Sequence, residues 1–189
     1  MTTALLTPPG SEPLSLTEIK AHLRIDHDHE DELLAGLLTA ARQYVEHYCR
    51  QKIMLQVWRQ YESEFPCDGA LTLQVAPVRA LNDVIAFDTQ GQPASVDPSS
   101  YQLMRESDPT IVQFEQSFDP LQASNGLELD ISVGMAEHAV DIDDAIKRAV
   151  LLLIGHWYEF RGVVTPQQQP VSIPPGVEAL LSPYRKLHV

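Results

Sequence analysis

The chain has 189 residues, 44% of them hydrophobic and 21% charged, with 26 acids against 13 bases and a formal net charge of −13. That size and composition suit a soluble globular domain, alone or with a sizeable insertion. The acidic excess argues against a general nucleic-acid binder, which needs Lys and Arg to displace phosphate counterions, and against docking on an anionic membrane.

Residues 1–13 end in TPPGSEP and read as an extended arm, because Pro8, Pro9 and Pro13 lack an N–H and bias their predecessors away from helix. LSLTEI then gives a helix start. Ser15 is placed as N-cap, Glu18 completes a capping box, and Leu14 and Ile19 form a hydrophobic staple. This predicts a short helix from Leu16 to Arg24. A second helix is expected from Asp28 to Tyr48, with Asp28 as its cap. Leu34, Leu37, Leu38, Ala41, Val45 and Tyr48 make its apolar stripe, and Leu33, Ala40 and Tyr44 widen it toward more than one neighbour.

After Cys49 the period changes to two. MLQVWRQYE (54–62), LTLQV (71–75), VIAF (84–87), YQLM (101–104), TIVQF (110–114) and LELDISV (127–133) are short segments between Pro, Gly and Asp punctuation. They predict an antiparallel sheet or small sandwich, with MLQVWRQYE as its first strand. Leu127, Leu129, Ile131 and Val133 alternate with Glu128, Asp130 and Ser132, the mark of a half-exposed strand.

Helical spacing returns near Asp141 in Ile142, Ile146, Ala149, Leu153, Trp157 and Phe160, while Val150, Leu151, Leu152 and Ile154 make most of the girth apolar. Such a helix belongs inside a domain or between subunits. The Pro- and Gln-rich GVVTPQQQPVSIPPG (162–176) reads as loop, followed by a short helix at Val177–Leu181 and the tail SPYRKLHV. The expected fold class is therefore α+β. Two N-terminal helices and a long C-terminal helix form the core, and an antiparallel β subdomain is inserted between them. The expected divisions are an arm (1–13), the N-terminal helical part (14–50), the β insertion (51–135), the long core helix (136–162) and the loop, short helix and tail (163–189).

Charge is uneven along the chain: residues 145–189 carry +3 and residues 1–144 carry −16. An acidic body with a basic end suits docking between unlike surfaces, copies of itself included, although a solvated face explains the same numbers. Cys49 and Cys67 have no metal or disulfide spacing. The N-terminus lacks the basic region and apolar core of a signal peptide, and AVLLLIG (149–155) is too short to span a bilayer. Synthesis in the cytoplasm is the expectation, with no membrane partner.

The densest chemistry-bearing stretch is DHDHEDE (26–32). Counted from Asp26 as a calcium loop it has Asp31 where Gly is needed and Leu37 where the closing Glu is needed. His27 and His29, two apart, share a metal only on extended backbone. Acids in the first turn of a helix, at the positive end of its dipole, explain the cluster without a metal. A small metal-dependent enzyme built on this cluster would bind a divalent ion stoichiometrically. In GHWYEFRG (155–162), His156, Glu159 and Arg161 lack a nucleophile, and the core stripe runs through Trp157 and Phe160, leaving His156 and Arg161 as inter-subunit candidates. No phosphate loop, GxSxG, HExxH or paired Cys/His set is present. A helix-turn-helix reading of the first two helices fails because the second opens with acids where DNA phosphates would lie. No catalytic centre, metal or cofactor is expected.

LSLTEIKAHLRIDHDHEDELLAGLLTAARQYVEHYC, LTLQVAPVRALNDVIAFDTQGQ, LELDISVG, IKRAVLLLIGHWYEFRG and IPPGVEALLSPYR occur in this order across residues 14–185. Together they resemble the phage gp6-like head–tail connector (adaptor) family, in particular its phiE125 gp8-like variant. The resemblance implies a virion structural protein of a tailed phage, prophage or gene transfer agent, made in the bacterial host cytoplasm and placed at the head–tail junction. Family members form a ring, usually dodecameric, beneath the portal protein. The ring extends the DNA channel, passes DNA without specific binding, and docks the downstream neck or tail-completion protein. Related sequences have been described as DNA-packaging proteins, so the alternative is a terminase-associated DNA-binding accessory. The segment with Val171, Ile173, Pro174, Pro175, Tyr184, Arg185 and Lys186 is the candidate portal contact: an apolar strap followed by an aromatic and basic end. The same residues equally suit packing of the C-terminus on its own subunit.

Overall fold

The computed structural model describes residues 2–160 and 173–186. The chain divides into two compact units, Met1–Gly10 with Leu55–Gly134 and Ser11–Met54 with Met135–Val189.

The second unit is helical, with α1 (Leu16–Leu23), α2 (Asp31–Cys49), α3 (Asp144–Glu159) and α4 (Pro175–Leu181). The α1 start is the capping box expected from the sequence. Ser15 Oγ accepts from the Glu18 amide at 3.2 Å, and Glu18 Oε2 accepts from the Ser15 amide at 2.8 Å. That backbone hydrogen bond is the main reason the Glu18 carboxyl sits below the usual carboxylate range. Helix α1 stops at Arg24, in the left-handed region with φ 59°.

Helix α2 begins three residues later than expected, and its N-cap is Glu30, which makes no side-chain cap hydrogen bond. Asp28 is not the cap because its carboxylate is drawn to Lys20, whose Nζ lies 2.6 Å from Asp28 and 2.5 Å from Asp31. Leu34, Leu38, Ala41, Val45 and Cys49 are buried on one stripe, while Leu33 and Ala40 are exposed on the isolated chain. Ile146, Ala149, Val150, Leu153 and Ile154 of α3 and Val177 and Leu181 of α4 complete the core, with Leu151, Leu152 and Trp157 packed around it. Asp143 caps α3 by accepting from the Ala145 amide at 2.9 Å. Among the described residues no helix is long and apolar enough to cross a membrane.

The first unit is a small β sandwich. Its strands are β1 (Thr2–Thr7), β2 (Gln56–Glu62), β3 (Ala70–Thr72), β4 (Val78–Phe87), β5 (Pro93–Ser95), β6 (Tyr101–Met104), β7 (Ile111–Phe114) and β8 (Leu127–Val133). They form a five-stranded sheet in the order β1-β2-β8-β4-β5 and a three-stranded sheet in the order β3-β7-β6, with every pairing antiparallel. Leu127, Leu129, Ile131 and Val133 face the core beside Val84, Leu71, Val112 and Phe114. Phe65 and Phe118 stack over one edge, each ring about 5 Å from that of Phe114. The fully buried Gln60 amide bridges the sheets: its Nε2 donates to the Thr72 carbonyl at 2.9 Å and its Oε1 accepts from the Gln74 amide at 2.9 Å. Gly126 has φ +100°, and a Cβ there would meet the Glu62 carbonyl oxygen at 2.2 Å, so the turn into β8 requires glycine.

Two expectations are corrected here. The first strand is not MLQVWRQYE but Thr2–Thr7. The arm therefore enters the β unit, pairing Thr2 with Tyr61 through Thr7 with Val57. LTLQV stops pairing as a strand at Thr72, where the Gln60 side chain takes over the backbone contacts of Thr72 and Gln74.

Candidate assembly surfaces

In the helical unit, the described C-terminal residues 173–186 pack on their own subunit. Val177 and Leu181 are fully buried, and burial of each such side chain is worth about 1.5–3 kcal/mol. Ile173, Leu180 and Tyr184 pack against the same core. After α4 a 3-10 turn, Ser182–Tyr184, carries the chain to the C-terminal end of α2. There the Lys186 amide donates to the Cys49 carbonyl at 3.0 Å, and Gln51 Nε2 donates to the Tyr184 carbonyl at 2.5 Å. The Arg185 guanidinium lies 5.4 Å from the Tyr48 ring centroid, within cation–π range. The Tyr184 hydroxyl donates to Asp143, which pulls the Asp143 carboxyl below its ordinary range and pushes the Tyr184 hydroxyl up to about 12.

Of the portal-contact candidates, Pro175 and Arg185 are exposed, Ile173, Pro174, Tyr184 and Lys186 are half-buried, and Val171 lies outside the described residues. Removing residues 170–189 would take two core side chains with it, so that deletion does not separate partner binding from folding. Of the inter-subunit candidates, Arg161 also lies outside the described residues. His156 is half-buried on α3, with its ring 5.2 Å from that of Phe160.

Three of the acids in the stretch 26–32 are engaged within the chain. Lys20 holds Asp28 and Asp31, which raises the Lys20 ammonium above its ordinary value, and Glu30 accepts from the Tyr158 hydroxyl at 2.5 Å. His27 and His29 sit with ring centroids 5.6 Å apart. Among the described residues no group of three or more His, Cys, Asp or Glu is arranged to hold a metal ion.

Sequence reading missed a charged network inside the helical unit. Arg42 and Glu46, on successive turns of α2, are 5% and 4% exposed. Arg42 Nε donates to Glu12 Oε2 at 2.7 Å, Arg42 Nη1 lies 3.2 Å from Glu46 Oε1, and Lys52 Nζ lies 3.8 Å from Glu46 Oε2. The Ile53 amide also donates to Glu46 Oε1 at 3.1 Å. Burial works against the Arg42 charge, but Glu12 and Glu46 outweigh it and raise the guanidinium above its ordinary value. For Lys52 burial prevails and lowers it. The i, i+4 spacing of Arg42 and Glu46 was visible in the sequence; their depth was not, because Glu12 reaches Arg42 from 30 residues away.

The β unit carries twelve carboxylates and three arginines, a net of −9. On its outer face Arg59 bridges Asp130 at 2.6 Å and Glu128 at 2.7 Å, and the hydrogen bond with Asp130 is the main force holding the guanidinium above its ordinary value. A cleft of about 350 Å³ at the strand ends is lined by Thr2, Tyr61, Glu62, Phe87, Asn125 and Glu128. Its carboxylates already accept from Gln60 and Arg59. These surfaces offer charge, edges and apolar ledges, which is the chemistry of assembly.

Comparison with known proteins agrees. The family model described as "Phage gp6-like head-tail connector protein" matches residues 13–122. Among solved structures, the chain is similar to one in the "Neck of empty GTA particle computed with C6 symmetry" (TM-score 0.82, 22% identity). It is also similar to one in the "Virion of native gene transfer agent (GTA) particle" (TM-score 0.81, 22% identity). A third is in the "Neck of native GTA particle computed with C12 symmetry" (TM-score 0.79, 21% identity). Each match covers 100% of this chain and 97% of the other. At that identity the likeness establishes the shared α+β fold. No curated protein matches the chain.

Proposed function

The chain belongs to the phage gp6-like head–tail connector family, a family of structural connectors and not of enzymes, and from that membership we propose that it forms a ring of copies in the neck of a virion. Twelve copies sit beneath the portal protein, extend its channel and present the surface on which the downstream neck or tail-completion protein docks. The protein is made in the bacterial host cytoplasm and ends at the head–tail junction. The observation that carries this reading is the family match over residues 13–122, joined to a fold shared over the full chain with proteins of GTA necks and virions.

The physical character of the surface supports it. A β unit of net −9 lining or flanking a channel repels DNA phosphates, so DNA passes without adhering. Leu33 and Ala40, apolar and exposed on the single chain, are ledges for a neighbour, and His156, half-buried on α3, is assigned to the same kind of contact together with Arg161, which lies outside the described residues. The portal contact is assigned to the segment of Val171, Ile173, Pro174, Pro175, Tyr184, Arg185 and Lys186. Ile173 and Tyr184 pack inward there to shape it, while Pro175 and Arg185 present outward. The DNA-packaging alternative is not favoured: α2 opens on Asp31 and Glu32, and the net charge opposes duplex binding.

Electron microscopy of the chain mixed with the portal protein encoded beside it tests the proposal. A second ring stacked coaxially on the portal is expected. A bare portal at every salt concentration, with the chain instead binding duplex DNA in a salt-sensitive way, refutes it. Arg185→Glu with Lys186→Glu is expected to weaken portal binding at least tenfold while leaving the helical circular dichroism unchanged. Unaltered binding removes the tail from the contact.

A further inference from the structure

The first ten residues belong to the β unit, yet the next residue, Ser11, begins the helical one. The arm enters the β unit as its outermost strand, with β1 pairing only β2. No described residue of β1 is buried, and Leu5 and Leu6 remain 45% and 43% exposed. The strand TTALLT carries no charge, and Pro8-Pro9-Gly10 follows it. Two prolines without N–H donors cannot continue the ladder and instead hold an extended, semi-rigid spacer.

We infer that in the assembled ring this arm is exchanged: β1 of each copy pairs with β2 of the neighbouring copy. The inference rests on the ring reading and specifies what locks the ring. The hydrogen bonds and register, Thr2 with Tyr61 through Thr7 with Val57, are the same whichever chain supplies β1, and only the path of the Pro-Pro-Gly hinge differs. An edge strand with no buried side chain takes no core with it when it leaves. The vacated edge of β2 is a row of unpaired backbone groups that selects a replacement strand of the same pattern. In a closed ring each copy gives one arm and receives one, so no edge stays open. Head-to-tail exchange is a heterologous contact, the kind that closes into rings, whereas two arms pairing with each other would stop at a two-fold dimer. A donated arm also tethers neighbours, making their remaining contacts intramolecular at an effective concentration of order millimolar.

The test uses the full chain with exposed Cys67 replaced by Ser, since the other cysteine, Cys49, is buried. One preparation carries Thr7→Cys, a second carries Val57→Cys, and the two are mixed, assembled with and without the portal protein, and oxidised. Neither variant can close a disulfide within one chain at this pair, so an interchain Thr7–Val57 link in the ring fraction is the expected result. Particle size is read separately by electron microscopy. Rings lacking the interchain link, together with a double variant that closes only intrachain disulfides, overturn the exchange and leave the ring intact. Failure to form rings under any condition, again with only intrachain links in the double variant, overturns both. The pair Thr2→Cys and Tyr61→Cys, at the far end of the strand, gives a second independent readout.

Discussion

Replacing Glu46 by Gln keeps the shape and an acceptor for the Ile53 amide but removes the negative charge. Arg42, 5% exposed, keeps Glu12 as its charged partner, and Lys52 loses the carboxylate at 3.8 Å. Breaking a buried pair by removing one partner costs about 3–5 kcal/mol. The surviving Glu12–Arg42 hydrogen bonds place this case at the low end, about 3 kcal/mol, or a fall in Tm of roughly 6–12 °C. Arg42→Met strands Glu46 instead, and about 2–3 kcal/mol is expected because Lys52 and the Ile53 amide still face it. The double variant still costs Glu12 its hydrogen bonds from Arg42 but strands neither Arg42 nor Glu46, so its loss should fall short of the sum of the single losses by more than 1 kcal/mol. Urea unfolding followed by the helical circular dichroism, and by Trp157 fluorescence in a Trp58→Phe background, reads the helical unit, since Trp157 lies on α3 and Trp58 on β2. A coupling below about 0.5 kcal/mol would show that the charges act independently and refute the argument.

Four further outcomes follow from named contacts. In the fold the Tyr184 hydroxyl holds its proton more tightly than in the unfolded chain, so its bond to Asp143 contributes below pH 10 and stability falls as pH rises from about 10 to about 12. Tyr184→Phe should flatten that alkaline slope in thermal melts; an unchanged slope disproves the assignment. The Asp143 carboxyl is depressed, so its contribution is present above the ordinary value of 3.8 and is lost as pH falls below it; acid unfolding of Asp143→Asn should lack that component. Gly126→Ala drives a Cβ into the Glu62 carbonyl at positive φ and should cost about 1–3 kcal/mol of β-unit stability, read by Trp58 fluorescence in a Trp157→Phe background. A loss under about 0.5 kcal/mol would mean that the turn relaxes. The full chain titrated with calcium or zinc should show no stoichiometric heat from residues 26–32, because Lys20 already occupies Asp28 and Asp31; one-to-one binding abolished by Asp28→Asn would contradict this.

What could be read in advance was local. The Ser15–Glu18 box lies within four residues, the alternation of Leu127–Val133 within seven, and the apolar girth of α3 within five turns, so hydrogen-bond reach and burial period act on neighbours in the chain. The order of those patterns also carried the family resemblance. Even a local reading failed where a distant group competed: Asp28 has the right residue type for a cap, but Lys20, eight positions back, claims its carboxylate. The acidic cluster that looked most like chemistry became a set of ion pairs, while the buried Glu12–Arg42–Glu46 network drew no notice.

The sequence by itself therefore determined the kinds of element, their order and the family, because periodicity and capping are properties of adjacent residues. Tertiary structure alone decided where the ends of the chain go. TTALLT has no buried residue to announce a strand and becomes one only because β2 offers it an edge. The described C-terminal residues pack on their own subunit because Cys49 at the end of α2, Gln51 just beyond it and Asp143, the cap of α3, receive them. A pairing made across a hundred residues leaves no period in either partner, and only the folded chain brings its two halves together.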